Sequence, residues 1–198
     1  MNLTQTFASV VASSQIDANN IEPTVNNPAV ATGAFSYMWL LLALPLLGAA
    51  LLLIGGKRTD KWGPYFAMSC GAFVVGAIMY LKMLGLPAND RPVNLHIWDW
   101  VIVGRFQAPL GMQLDQLSIV FVLLITFVGS LIHIYSLGYM KHDPEKRKFF
   151  AYLNLFVAAM LLLVTADSYL LLYVGWEGVG LASYLLSRKE SIRRQPSW

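Results

Sequence analysis

Five apolar runs, each closed by a short polar break, account for most of the chain. The first is Phe35–Ile54, ended by Gly55-Gly56-Lys57-Arg58, and the second is Pro64–Leu86, with Lys82 near its end. The third covers about Asp115–Met140, the fourth about Phe149–Thr165 and the fifth Ser168–Leu186. A helix needs roughly 20 apolar residues to cross the hydrocarbon of a bilayer. The pattern therefore predicts an all-α fold, a polytopic membrane helix bundle of about five transmembrane helices. The period changes between the second and third runs. Val93, Leu95 and Ile97 alternate with Asn94, His96 and Trp98, and a second apolar piece, Trp100–Val103, precedes Gly104-Arg105. Alternation with period two predicts a short β-hairpin within the outer loop, residues 87–114. Trp98 and Trp100 suit the headgroup level of a membrane. Three regions follow: a polar segment 1–34, a membrane domain 35–186 and a basic tail 187–198. Leu3, Phe7, Val10 and Val11 have helical spacing, so a short surface helix and disorder are both open for the first region. That region lacks the basic start and apolar centre of a cleavable signal peptide.

Composition supports the membrane reading. The 198 residues are 57% hydrophobic and 13% charged, with mean hydropathy +0.55, whereas a soluble domain is about half apolar and about a quarter charged. Cys70 is the only cysteine, so no intrachain disulfide is possible and a small packing residue is expected. The net charge of +3 matters less than its placement. Lys57, Arg58 and Lys61 lie between runs one and two. Lys141, Lys146, Arg147 and Lys148 lie between runs three and four, and Arg188, Lys189, Arg193 and Arg194 follow run five. Alternating spans put all three groups on one side, leaving Arg91 and Arg105 opposite, with Lys82 able to snorkel there. Basic loops stay in the cytoplasm, so the N-terminus is expected outside and the C-terminus inside, in a cell (plasma or inner) membrane.

The candidate chemistry lies inside the apolar runs. Glu177 is ten residues from Asp167 and ten from Ser187, which at about 1.5 Å per residue puts it ~15 Å from either surface, at the midplane. An ionised carboxylate there costs at least ~2.5–3.5 kcal/mol. It must be neutral, paired or facing water, and a carboxyl poised between those states can pass a proton. Proton traffic is the functional reading, and a protonated glutamate tying two helices together is the structural one. Tyr173 and Tyr184 share its helix face, either as relay hydroxyls or as aromatic packing. His133, about two turns from the cytoplasmic end of run three, is either a helix–helix hydrogen-bond partner or a relay step. Asp115 and Asp167 are assigned to helix N-termini, where the dipole favours negative charge. His96 is assigned to a solvated loop, with no metal site, since no second ligand stands near it. The link between runs four and five, about Ala166-Asp167, demands a tight helical hairpin. Gly178 and Ala182, with Gly175 and Gly180, supply small residues for close approach. The cluster "KHDPEKRK" is a solvated orientation signal.

The segments "HIYSLGYM", "FFAYLNLFVAAMLLLVTADSYLLLYVGWEGVGLASYLL" and "LGMQLDQLSIVFVLL" resemble the antiporter-like, L-type (mitochondrial fifth) membrane subunit of respiratory complex I, NADH:quinone oxidoreductase. The resemblance covers about residues 35–186. The "GWEGVG" block favours this subunit over the related Mrp-type monovalent cation/proton antiporters, which share the glutamate and differ after it. The resemblance implies a proton-translocating subunit of a translocase, driven by quinone reduction elsewhere. In it a midplane glutamate, at the place of Glu177, works with a lysine on a later, broken helix. It also implies that NADH, FMN, iron–sulfur clusters and quinone are bound by other subunits, with no cofactor in this chain. The partners implied are the other membrane subunits of complex I, the lipid bilayer and protons, with no nucleic acid. One cysteine, no CxxC and no GxGxxG strand–helix context agree with a chain free of redox groups.

Composition shifts from apolar to basic at Ser187, where the family continues with further spans. That resembles a truncated or frame-shifted product, without the partner lysine. Two other functions therefore stand beside the pumping subunit: a non-transporting membrane or assembly fragment, and an Mrp-type antiporter subunit.

Overall fold

A computed structural model of the chain describes residues 29–55, 68–87, 91–103, 106–140, 143 and 146–193. The possible surface helix over Leu3–Val11, the start of the second run at Pro64, most of the basic loop residues and the end of the tail lie outside the described residues.

Five helices carry the fold: α1 Trp39–Ile54, α2 Met68–Leu84, α3 Gln116–Tyr139, α4 Lys146–Thr165 and α5 Tyr169–Arg193. A 3-10 turn, Gly33–Tyr37, leads into α1, and together they make an apolar stretch, Gly33–Ile54, long enough to span. Helices α3, α4 and α5 also reach spanning length, whereas α2 has 17 residues, about 25 Å at about 1.5 Å per residue. The count of about five full-length spans is therefore four by length, with α2 a shorter apolar helix among the described residues.

The end points follow local chemistry. Asp115 caps α3, its carboxylate accepting from the Ser118 amide at 2.6 Å, which satisfies a donor that no helical carbonyl reaches. At the far end of α1, Arg147 donates to the carbonyls of Leu52 and Leu53 at 2.5 and 3.3 Å, filling acceptors left free by the last turn. Pro45 sits within α1. It has no amide proton to donate, yet the helix runs through it. Helix α5 continues to Arg193 through "SRKESIR", past the expected end at Leu186.

The outer loop holds more β-structure than an all-α fold with a short hairpin. Val93–Val103 is one strand, β2, rather than two pieces, and its return strand is β3, Phe106–Leu114. The pair is antiparallel, from Val93 opposite Leu114 to Val103 opposite Phe106. The register shifts between His96 and Trp98 and again between Asp99 and Val101. Each bulge lets one extra residue, Ile97 or Trp100, pass unpaired, so the inward face switches along the strand. The expected strict alternation fails there for that reason. Pro109 is accommodated because β3 is an edge strand. A two-residue strand, β1 (Ala29–Val30), adds in parallel to the other side of β2.

The sheet roofs one end of the bundle. Val93, Met112 and Leu114 are buried with Phe35, Met38, Met79, Met83, Ile119 and Leu161, which come from the nearby helix ends and the 3-10 turn. A smaller cluster, Leu52, Met140, Phe150 and Ala151, closes the opposite end. The outside of the helices stays apolar. Leu117, Leu124, Phe127, Leu131 and Ile134 of α3 are all exposed, as a lipid-facing surface requires.

Candidate functional site

Helix α3 turns its polar residues inward. Thr126, Ser130, His133 and Ser136 are all buried, spaced four, three and three apart, so they form one stripe. The hydroxyls of Thr126 and Ser130 each donate back four residues, to the carbonyls of Val122 and Thr126, both at 2.6 Å.

His133 is 1% exposed and sits where three helices meet. Its Nδ1 lies 2.8 Å from the Gly129 carbonyl of its own helix and 3.0 Å from Ser69 Oγ on α2. A carbonyl can only accept, so Nδ1 carries the proton in the neutral imidazole and Nε2 presents a lone pair. Nε2 is buried and has no protein partner. Asn154 on α4 is fully buried and its amide interacts with the imidazole, although neither its nitrogen nor its oxygen reaches hydrogen-bond geometry with any protein group. Phe150 packs on the ring, with centroids 5.9 Å apart.

Glu177 occupies a different place. Helix α5 packs substantially on α4 alone, through its small residues. A Cβ built on Gly175 would stand 2.8 Å from the Leu163 nitrogen, and one on Gly178 would stand 3.1 Å from the Ala159 Cβ. Ala182 is fully buried, whereas Gly180 has nothing within 4 Å. Of the four small residues expected at the contact, Gly180 is thus the one that does not serve it. Glu177 is exposed, turned away from α4. Tyr173, one turn earlier, has its hydroxyl near enough to feel the Glu177 carboxyl and packs edge-on to Trp176 at 6.2 Å. Tyr173 and Tyr184 are both exposed, so neither is buried aromatic packing within these helices. No ion pair to Glu177 occurs among the described residues.

The two candidate relay residues are therefore separate. His133 and Glu177 lie on helices with α4 between them. Facing pairs give their relative heights. Gly178 meets Ala159, and a Cβ on Gly129 would meet Val157 Cγ2 at 3.0 Å. Counting along these antiparallel helices, Glu177 stands level with Thr126. His133 and Asn154 stand about 10 Å nearer the Lys146 end, at about 1.5 Å per residue. The stripe Thr126–Ser130–His133 bridges that height.

Five residues at this site escaped sequence reasoning. Ser69, Thr126, Ser130, Ser136 and Asn154 are polar groups inside apolar helices, and the spacing of Thr126, Ser130 and His133 was the readable signal. Which helix faces theirs was not readable.

Asp167 also departs from expectation. Ser168 caps α5, its hydroxyl accepting from the Leu171 amide at 3.4 Å. Asp167 instead accepts from the Gly111 amide of β3 at 3.2 Å. Burial raises its pKa above the ordinary 3.8, against the opposing pull of the Gly111 bond and of His96. His96 lies on β2, half exposed, with Nε2 2.8 Å from Asp99 Oδ1.

Comparison with known proteins identifies the scaffold. Residues 100–150 match the family described as NADH-ubiquinone oxidoreductase (complex I), chain 5 N-terminus. The chain is 60% identical over 152 residues to NADH-quinone oxidoreductase subunit L of Mycobacterium tuberculosis, covering 76% of this chain and 24% of that relative. It is 36% identical over 146 residues to NADH-ubiquinone oxidoreductase chain 5 of Neurospora crassa, 74% of this chain and 20% of that one. Chain 5 of Podospora anserina matches at the same identity over the same length, 22% of it covered. The chain thus spans about a quarter of the length of these relatives, or slightly less.

Proposed function

Since this chain belongs to the complex I subunit L and chain 5 family, whose N-terminal portion it carries, we propose that it contributes a proton path to a proton-translocating NADH:quinone oxidoreductase. Glu177 is the group that takes up and releases the proton. The observation that carries this reading is its setting: a carboxyl halfway along a membrane helix, on a face that these helices leave uncovered, with Tyr173 one turn away on the same face. A carboxylate there is too costly to leave against lipid. The uncovered face is therefore where another membrane segment of the assembled enzyme packs and brings water or a counter-charge. His133 is the second titratable group on the path, reached along the inward stripe of α3. In this reading the partners are other membrane subunits of complex I. NADH, FMN, iron–sulfur clusters and quinone belong to those and other subunits, and this chain moves protons only.

The test is Glu177→Gln in membrane vesicles carrying the assembled complex. The amide keeps shape and hydrogen bonding but cannot ionise. Protons moved per NADH oxidised should fall, while assembly and NADH oxidation by the redox arm persist. An unchanged proton yield would sink the relay and leave Glu177 as helix glue.

A further inference from the structure

We infer that the buried His133–Asn154 pair, with Ser69, is a water-binding site in which the His133 imidazole stores a proton. The geometry begins with the tautomer. Nδ1–H is directed to the Gly129 carbonyl at 2.8 Å, with Ser69 Oγ 3.0 Å away as a second acceptor. That leaves the Nε2 lone pair bare at a site 1% exposed. Beside it the Asn154 amide, fully buried, has two donors and an acceptor unspent. Three buried polar atoms without partners lie together here; leaving such atoms unpaired is costly, and a fold keeps such a cluster when a small hydrogen-bonding molecule completes it. The complement needed is specific. It must donate to Nε2, accept from the Asn154 NH2 and donate to the Asn154 oxygen or to a neighbour. Water does all of this. A metal cation lacks its ligand set, since His133 belongs to no group of three His, Cys, Asp or Glu side chains among the described residues.

The site has the chemistry of a proton station. An excess proton on the bound water passes to Nε2: the O–H bond breaks, the N–H bond forms, and the water is left neutral. The imidazolium keeps its Nδ1–H on Gly129. The same Nε2–H later returns the proton to a water, so no electrons are exchanged and no other reactant is consumed. From here the buried hydroxyls of Ser130 and Thr126 lead toward the height of Glu177. The role, though not the water site itself, rests on the proton-path reading above.

Two measurements test it. The full chain, labelled with 15N in its imidazoles and held in lipid bilayers, is studied by solid-state NMR with polarisation transferred from water protons. His133→Gln assigns the signal. A water contact at the unprotonated Nε2 is expected in the native chain and should vanish in Asn154→Leu. A native spectrum with no water contact at Nε2 overturns the site, whether or not the leucine variant folds. In vesicles carrying the assembled complex, Asn154→Leu should lower protons moved per NADH oxidised, and Asn154→Ser, which keeps a hydroxyl for the water, should recover most of it. A lost water contact with unchanged proton yield in Asn154→Leu overturns the station. The Glu177→Gln result is read separately, so failure of the broader reading is distinguishable from failure of this one.

Discussion

Asp167 shows how one side chain can tie two parts of a membrane protein together outside the lipid. It joins the turn between α4 and α5 to strand β3 through the Gly111 amide, beside the bridge between Met112 and Ala166 and the Ser168 hydroxyl bond to Pro109. Burial dominates its titration and raises the pKa. The docked state therefore prefers the neutral acid. That preference stabilises docking fully below 3.8, the ordinary aspartate value, and is lost as pH rises through the raised value. The Gly111 amide opposes the shift most, and His96, bonded to Asp99, opposes it least. The protection of the Gly111 amide against hydrogen exchange should decline as pH rises through that window. In Asp167→Asn, which keeps an acceptor but cannot titrate, it should be flat. A native protection that does not change with pH would refute the latch. The sequence marked Asp167 as polar and terminal but assigned its carboxylate to the wrong donor. Two adjacent residues, Asp167 and Ser168, could each cap α5, and only the position of β3 decided between them.

At the scale of an element, α3 and α5 invert the order familiar from soluble helices. Helix α3 buries Thr126, Ser130 and His133 and exposes Leu124, Phe127 and Leu131, because lipid rewards an apolar outside. Helix α5 depends on glycine for its one strong contact. At Gly175 a Cβ would meet the Leu163 backbone at 2.8 and 2.9 Å, and backbone cannot swing aside. Gly175→Ala should therefore push α5 off α4, at a cost of about 1–3 kcal/mol for overpacking. Gly180→Ala meets nothing within 4 Å and should be neutral or gain up to about 1 kcal/mol of helix propensity. Unfolding of the two variants in bicelles tests the contrast, and equal losses would show that the helix interface is misassigned. The sequence offered four small residues with the right spacing. It could not rank them, since a glycine is needed only where another backbone comes close.

Over the whole molecule, the sheet roofs one end and the start of α4, residues 146–148, lies at the other, where Arg147 closes α1. An outer hairpin and a cytoplasmic basic side are the orientation expected from the loop charges. Reporter fusions should place Asn94 outside and Asp143 inside, and a cytoplasmic signal at Asn94 would reverse the orientation. Chain chemistry alone is sufficient for the apolar runs, a strand-forming segment before Gly104, the cap at Asp115, and the oddity of a carboxyl in midspan. All of these depend on neighbours within a few residues and on the cost of moving polar groups into hydrocarbon. Three-dimensional packing alone assigned the return strand β3 with its two bulges, the outward face of Glu177, and the meeting of Ser69, His133 and Asn154. Those depend on which helix lies against which and at what height. Residues 64 and 21 positions apart share a site because the bundle folds back on itself, and no local pattern encodes that alignment.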